Sequence, residues 1–159
     1  MARVEISLAR QRLCLWQGDV ARDYPISTAA MGAGERENSG CTPRGRHRIA
    51  EKIGADAPVG SVFVGRVPTG EIFTEALGAE HPERDWILTR ILWLAGCEPG
   101  TNAGPGIDTY ARYIYIHGTN DIESLGQPVS HGCIRMNSAD VMAVFDRVSV
   151  GDEVMIHDD

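Results

Sequence analysis

The opening residues Val4-Glu5-Ile6-Ser7-Leu8 alternate apolar and polar side chains, a period of two that suits a strand with one buried face and not a helix. Arg12-Leu13-Cys14-Leu15-Trp16 follows, and Gln17-Gly18-Asp19 marks a turn before Val20 to Ile26, so the chain begins as antiparallel strands joined by tight turns. The glycine-rich stretch Met31 to Gly40 and the turn at Thr42-Pro43-Arg44-Gly45 lead into another strand around Arg46 to Ala50. Gly32 and Gly34 do not make a phosphate loop, because no Gly-Lys-Ser/Thr follows and no helical pattern opens. Between Lys52 and Gly106 only Val62-Phe63-Val64 and a block from Asp85 to Leu94 are apolar, and the second fits a strand or a short helix equally well. Cys97 to Gly106 reads as a loop. Tyr113-Ile114-Tyr115-Ile116-His117 predicts a strand that ends at Gly118-Thr119-Asn120-Asp121. Asn137-Ser138-Ala139-Asp140 predicts the cap of a helix from Ala139 to Val148, with Val141, Val144, Phe145 and Val148 on one face. Gly151 to Ile156 closes as a strand. The expectation is a mainly β chain forming a single domain over residues 1–159, with one or two short helices and no internal repeat.

Composition narrows the chemistry. With 159 residues, 43% hydrophobic and 23% charged, the chain has an ordinary globular balance. A domain of this length hides roughly two thirds of its unfolded surface, so it folds without a disulfide or structural metal. Cys14, Cys41, Cys97 and Cys133 are widely spaced with no Cys-x-x-Cys pair, which points to free thiols rather than a zinc ribbon or redox pair. A net charge of −7 argues against a nucleic-acid partner. Arg44-Gly45-Arg46-His47-Arg48 suits an anionic ligand or a solvated strand. The first twelve residues lack the apolar core of ~7–15 residues that a secretory signal needs, and no stretch nears the ~18 apolar residues of a membrane helix. A cytoplasmic protein without a membrane segment is therefore expected, or a periplasmic one if the N-terminus was trimmed.

A cysteine thiol with a pKa of about 8.5 is only a few per cent thiolate at neutral pH, so a nucleophilic cysteine needs a base or cation beside it. His131 lies two residues before Cys133, and His117 lies sixteen before it (133 − 117) at a strand end, free to approach the sulfur from another strand. His117 is taken as the base, and a thiol activated in this way is expected to alkylate faster at neutral pH than the other three. Gly132 gives the backbone freedom to point the N–H groups of Gly132 and Cys133 at a developing oxyanion. The Gly118 carbonyl can accept the second imidazole N–H and set the tautomer. Arg135 offers a planar cation for a substrate carboxylate, and Ser130 is grouped with it as a substrate contact. A metal site built from His117, His131 and Cys133, with Cys41 or Cys97 as a fourth ligand, is the chemical rival. A non-catalytic peptide-binding or thiol-sensing domain is the rival from another class.

His117-Gly118-Thr119 followed by Ser130-His131-Gly132-Cys133-Ile134-Arg135-Met136 resembles the signature of the L,D-transpeptidase (YkuD-type) catalytic domain. Tyr24-Pro25-Ile26-Ser27-Thr28, Thr42-Pro43-Arg44-Gly45 and Val150-Gly151-Asp152-Glu153-Val154 resemble the family's flanking strands and loop. The resemblance implies a β-sandwich-like fold that needs no cofactor or metal. It also implies that Cys133 attacks the bond between meso-diaminopimelate and D-alanine in a peptidoglycan stem tetrapeptide, forming a thioester as D-alanine leaves. By the same resemblance His117 is proton acceptor and donor, Gly118 orients it, His131 and Gly132 help build the oxyanion site, and Arg135 holds substrate. An amine acceptor would give a crosslink. Water would give L,D-carboxypeptidase activity, the use expected of a chain without an export signal that trims recycled muropeptides.

Overall fold

Where the alternating residues meet a core, the strands form as the pattern predicts. The computed structural model describes all residues, Met1–Asp159. In β1 (Ala2–Ser7) and β2 (Arg12–Gln17) the antiparallel register sets Val4 opposite Leu15 and Ile6 opposite Leu13, all four fully buried. β3 (Val20–Pro25) continues the meander on the far side of β2. The last strand, β10 (Glu153–His157), inserts parallel to β1 and antiparallel to β4 (Gly45–Ile53), so the two ends of the chain share one stretch of sheet. The arginine-rich segment is part of β4 and its turn. Arg44 is held by Glu35 and Asp158, and His47 is buried against Thr109, while Arg46 and Arg48 are exposed along the solvated face of the strand.

β5 (Ser61–Val64) and β6 (Val67–Ile72) form a hairpin, which is followed by the short helix α1 (Glu75–Glu80). The ambiguous apolar block is a ten-residue strand, β7 (Ile87–Gly96). It gives no alternation because both its faces are covered: Leu92 and Leu94 enter the main core, while Ile91 and Trp93 pack with Phe63 and Tyr115 on the other side. β7 pairs with β4 and β5 along one edge and with β8 (Tyr115–Gly118) along the other. β8 begins two residues later than the aromatic–aliphatic alternation predicts, because Tyr113 takes a positive φ of 58° that no strand accommodates.

β9 (Ile134–Met136) pairs parallel to β8 and completes a ten-stranded sheet. The fold is mainly β, and its layered, sandwich-like form comes from this one sheet curling on itself with two helices in a single domain. The second helix, α2 (Ser138–Arg147), starts where its cap predicts: the Asn137 side chain accepts the Asp140 N–H at 2.8 Å. Val141, Val144, Phe145 and Val148 then pack into the 19-residue core formed with the N-terminal strands, β8 and β9. No helix is long and apolar enough to cross a membrane.

Candidate active site

The sheet brings the two halves of the motif together through the parallel pairing of β8 and β9. His117 stands opposite Arg135 and Ile116 opposite Ile134, so Cys133, one residue before β9, arrives beside Tyr115. The Tyr115 N–H donates to Cys133 Sγ at 3.3 Å, and the thiol in turn donates to the Tyr113 carbonyl at 3.4 Å. Side chains two apart on a strand share a face, so His117 and Cys133 lie on the same side of the sheet, away from the main core.

The turn that presents Cys133 is fastened from several directions. Gly132 takes φ +131°, and a side chain there would press within 3.3 Å of the Cys41 carbonyl. The Thr42 hydroxyl donates to the Gly132 carbonyl at 2.9 Å and accepts from the Ala29 N–H at 3.0 Å. The buried Ser130 hydroxyl donates to the Cys133 carbonyl at 2.6 Å and accepts from the Gly132 N–H at 3.2 Å. Ser27 and Arg135 exchange backbone hydrogen bonds on the other side. Two expectations shift as a result. Ser130 holds the turn instead of facing substrate, and the Gly132 N–H is already engaged. The N–H groups of His131 and Cys133, which meet no acceptor in the protein, are the donors left for an oxyanion.

His117 is buried, with Nδ1 2.7 Å from the Gly118 carbonyl. A carbonyl can only accept, so Nδ1 carries the proton and Nε2 keeps a lone pair for a thiol proton. Burial lowers the imidazole pKa, more than the Gly118 carbonyl and the nearby Asp85 raise it. Burial also pushes the Cys133 thiol up to about 12, opposed by the Tyr115 N–H and by Arg135 and Arg112. At rest the pair is therefore a neutral thiol and a neutral imidazole, with no hydrogen bond joining them. With both groups neutral, transfer of the thiol proton would accompany attack.

Gly118 has a steric reason to lack a side chain. A Cβ there would stand 2.5 Å from the Leu88 carbonyl and 3.4 Å from Ser138 Oγ, where β8 crosses the bulge of β7. Gly118→Ala is expected to destabilise the fold by about 1–3 kcal/mol, lowering the urea midpoint by roughly 1 M, because β7 and β8 cannot separate without losing their ladder.

Arg135, taken from sequence as a substrate cation, is ion-paired with Asp85 at 3.1 Å and its side chain is only 11% exposed. His131 is exposed, with Nδ1 3.7 Å from the same carboxylate. His131, Asp85 and Arg135 thus form the boundary between a cleft of about 230 Å³ around Cys133 and a polar cavity of about 710 Å³ that also reaches Arg84, Asp121 and Glu123. No three His, Cys, Asp or Glu side chains converge in a way that could hold a metal ion, so the metal reading has no ligand set. All four cysteines are free thiols, and of the other three it is Cys41 whose backbone borders the turn that presents Cys133. Thr42, Tyr115, Asp85 and Arg112 were not singled out as site residues from sequence. Thr42-Pro43 reads there as a turn and as part of the family's loop, and Asp85 only as the start of an apolar block.

The family described as the L,D-transpeptidase catalytic domain (YkuD) matches residues 1–156. Two curated relatives are provisionally named L,D-transpeptidases. YqjB of Bacillus subtilis is 49% identical over 98 residues, covering 58% of this chain and 52% of its own. YbiS of Escherichia coli K12 is 41% identical over 63 residues, covering 36% of this chain and 21% of its own. The chain thus spans about half or less of the curated relatives it matches. L,D-transpeptidase 3 from Mycobacterium tuberculosis, solved with a faropenem-derived adduct, shares the fold at a TM-score of 0.62 and 16% identity, over 99% of this chain and 60% of that one.

Proposed function

The chain belongs to the L,D-transpeptidase (YkuD) catalytic-domain family, and from that premise we propose that it is a cysteine acyl-transfer enzyme acting on peptidoglycan stem tetrapeptides through a Cys133 thioester. The observation that supports the reading is the β8–β9 pairing, which puts Cys133, one residue before β9, on the same face of the sheet as a buried histidine whose Nδ1 is fixed on the Gly118 carbonyl and whose Nε2 makes no hydrogen bond within the protein.

Attack requires the thiol to leave the Tyr113 carbonyl and give its proton to His117 Nε2 as Sγ bonds to the carbonyl carbon of meso-diaminopimelate. The negative charge that forms on the carbonyl oxygen faces the spare N–H groups at His131 and Cys133; a donor of this kind is worth roughly 3 kcal/mol. His117 then returns the proton to the departing amine of D-alanine, the C–N bond breaks, and the thioester remains. The polar cavity beside the cleft has room for a second peptide, and its carboxylates Asp121 and Glu123 suit an ammonium group. This favours an amine acceptor and crosslinking. Cys133 is only half-buried, so water also reaches the thioester, and L,D-carboxypeptidase activity is the second reading.

The test is to incubate the protein with a disaccharide tetrapeptide and follow the products by mass spectrometry. Dimers with released D-alanine are expected for transfer to an amine, and D-alanine with a tripeptide product for hydrolysis. An intact donor would refute the enzymatic reading and leave a peptide-binding or thiol-sensing domain.

A further inference from the structure

The cleft around Cys133 has two cations on its wall, Arg135 and Arg112, and they differ in one respect. Arg135 already has the Asp85 carboxylate at 3.1 Å, whereas no carboxylate lies within 4.0 Å of the Arg112 guanidinium. Arg112 Nη1 donates to the Gly34 carbonyl at 3.2 Å, and Nη2 to the Cys41 carbonyl at 2.7 Å and to Ser39 Oγ at 3.4 Å. These are neutral acceptors. A guanidinium has five N–H donors in a fixed fork, so Nε–H and one Nη1–H remain without a partner. The same three contacts fix the side chain against the loop that borders Gly132. Its backbone position suits the cleft as well, because the next residue, Tyr113, has φ 58° and offers its carbonyl to the Cys133 thiol.

We propose that Arg112, and not Arg135, is the carboxylate anchor of the cleft, holding a free carboxylate of the donor peptide beside Cys133. This rests on the acyl-transfer reading and names the part of the substrate that the site grips. Both Nη2–H groups are engaged, so neither bidentate edge of the guanidinium is open, and a carboxylate would be held by a single spare donor together with the charge; such a charge-assisted hydrogen bond in a partly desolvated cleft is stronger than one in water. Burial lowers the Arg112 pKa, as expected of a charge withdrawn from water without a full partner. Arg66, another arginine without a carboxylate, is accounted for differently: it stacks over Trp93 and Tyr113 and donates to the Tyr115 hydroxyl. A tetrapeptide donor presents one carboxylate on the D-alanine beside the scissile bond and another on the diaminopimelate side chain, and either could be the one held.

The test needs no turnover. Iodoacetate and iodoacetamide both alkylate Sγ with loss of iodide, and they differ only in that the first carries a carboxylate. The ratio of their rates at Cys133, read by mass spectrometry of its peptide, is expected to fall about tenfold in Arg112→Gln. It should be largely kept in Arg112→Lys and unchanged in Arg66→Gln. A loosened loop would change both rates together and leave the ratio alone, so an unchanged ratio in Arg112→Gln overturns the proposal. Donors amidated at D-alanine or at diaminopimelate then separate the two carboxylates: the amide whose loss of rate disappears in Arg112→Gln marks the one held, and equal penalties for wild type and variant on both donors also overturn it. A protein inactive on every donor would refute the acyl-transfer reading, while the alkylation ratio would still decide the role of Arg112.

Discussion

Cys133→Ser is expected to lower the release of D-alanine from a stem tetrapeptide by about 10³-fold or more while leaving thermal stability nearly unchanged. The two effects separate because Cys133 works at the margin of the small aromatic cluster and not inside the 19-residue core. A serine hydroxyl can take the same hydrogen bonds from the Tyr115 N–H and to the Tyr113 carbonyl, so the turn survives. What it cannot supply is sulfur. An alcohol is a far weaker nucleophile unless a base is already hydrogen-bonded to it, and in the resting geometry His117 is not. D-alanine release assayed beside a thermal melt checks both halves, and a serine variant with near-native turnover would show that Cys133 is not the nucleophile.

His117→Gln is expected to cost roughly 10²–10⁴-fold in turnover, the range typical of losing a general acid–base group. Glutamine places a neutral amide near the position of Nε2 and cannot accept and return a proton, so the comparison removes the acid–base nitrogen while keeping a polar group there. The pH profile gives a second readout. A lowered imidazole pKa means that His117 stays neutral, and able to accept a proton, below its ordinary value of about 6.5. The acid limb of wild-type activity should therefore lie below pH 6.5, and it should vanish in the glutamine variant. Stability carries the same sign. The unfolded imidazole binds a proton as pH falls through about 6.5 and the folded one resists, so the contribution of the buried neutral ring is complete above that pH and is lost toward its lowered folded value. His47, held at about 4 by burial, adds to the same acid-side loss.

How far the sequence could be read depended on whether each structural cause was local. The strands β1, β2, β4 and β10 and the helix α2 were legible because each has one wet face and one dry face, so the burial pattern is written into the residue order, while β3, with no buried residue, was legible from the turn that precedes it. β7 was ambiguous because both of its faces are dry. β6 was missed because nearly all its residues are exposed and it is held by the Gly65-Arg66 turn, where both residues take positive φ. β9 was missed because three residues carry no periodicity, and its partner β8 is distant in the chain. The same division runs through the site. Cys133, His117 and the Gly118 carbonyl could be named in advance because neighbours in sequence define them. The engagement of Arg135 by Asp85, fifty residues away, and of Ser130 by its own turn could not, since both depend on how the sheet curls. The resting protonation state was also beyond the sequence, because it is set by burial.

The most direct test of the account is intact-protein mass spectrometry after brief mixing with a stem tetrapeptide. The mass of the donor acyl group, the tetrapeptide less D-alanine, should appear on the wild-type protein, map to the Cys133 peptide, be released by hydroxylamine as a thioester would be, and be absent from Cys133→Ala. An adduct on another residue, or D-alanine release from Cys133→Ala at the wild-type rate, would contradict it.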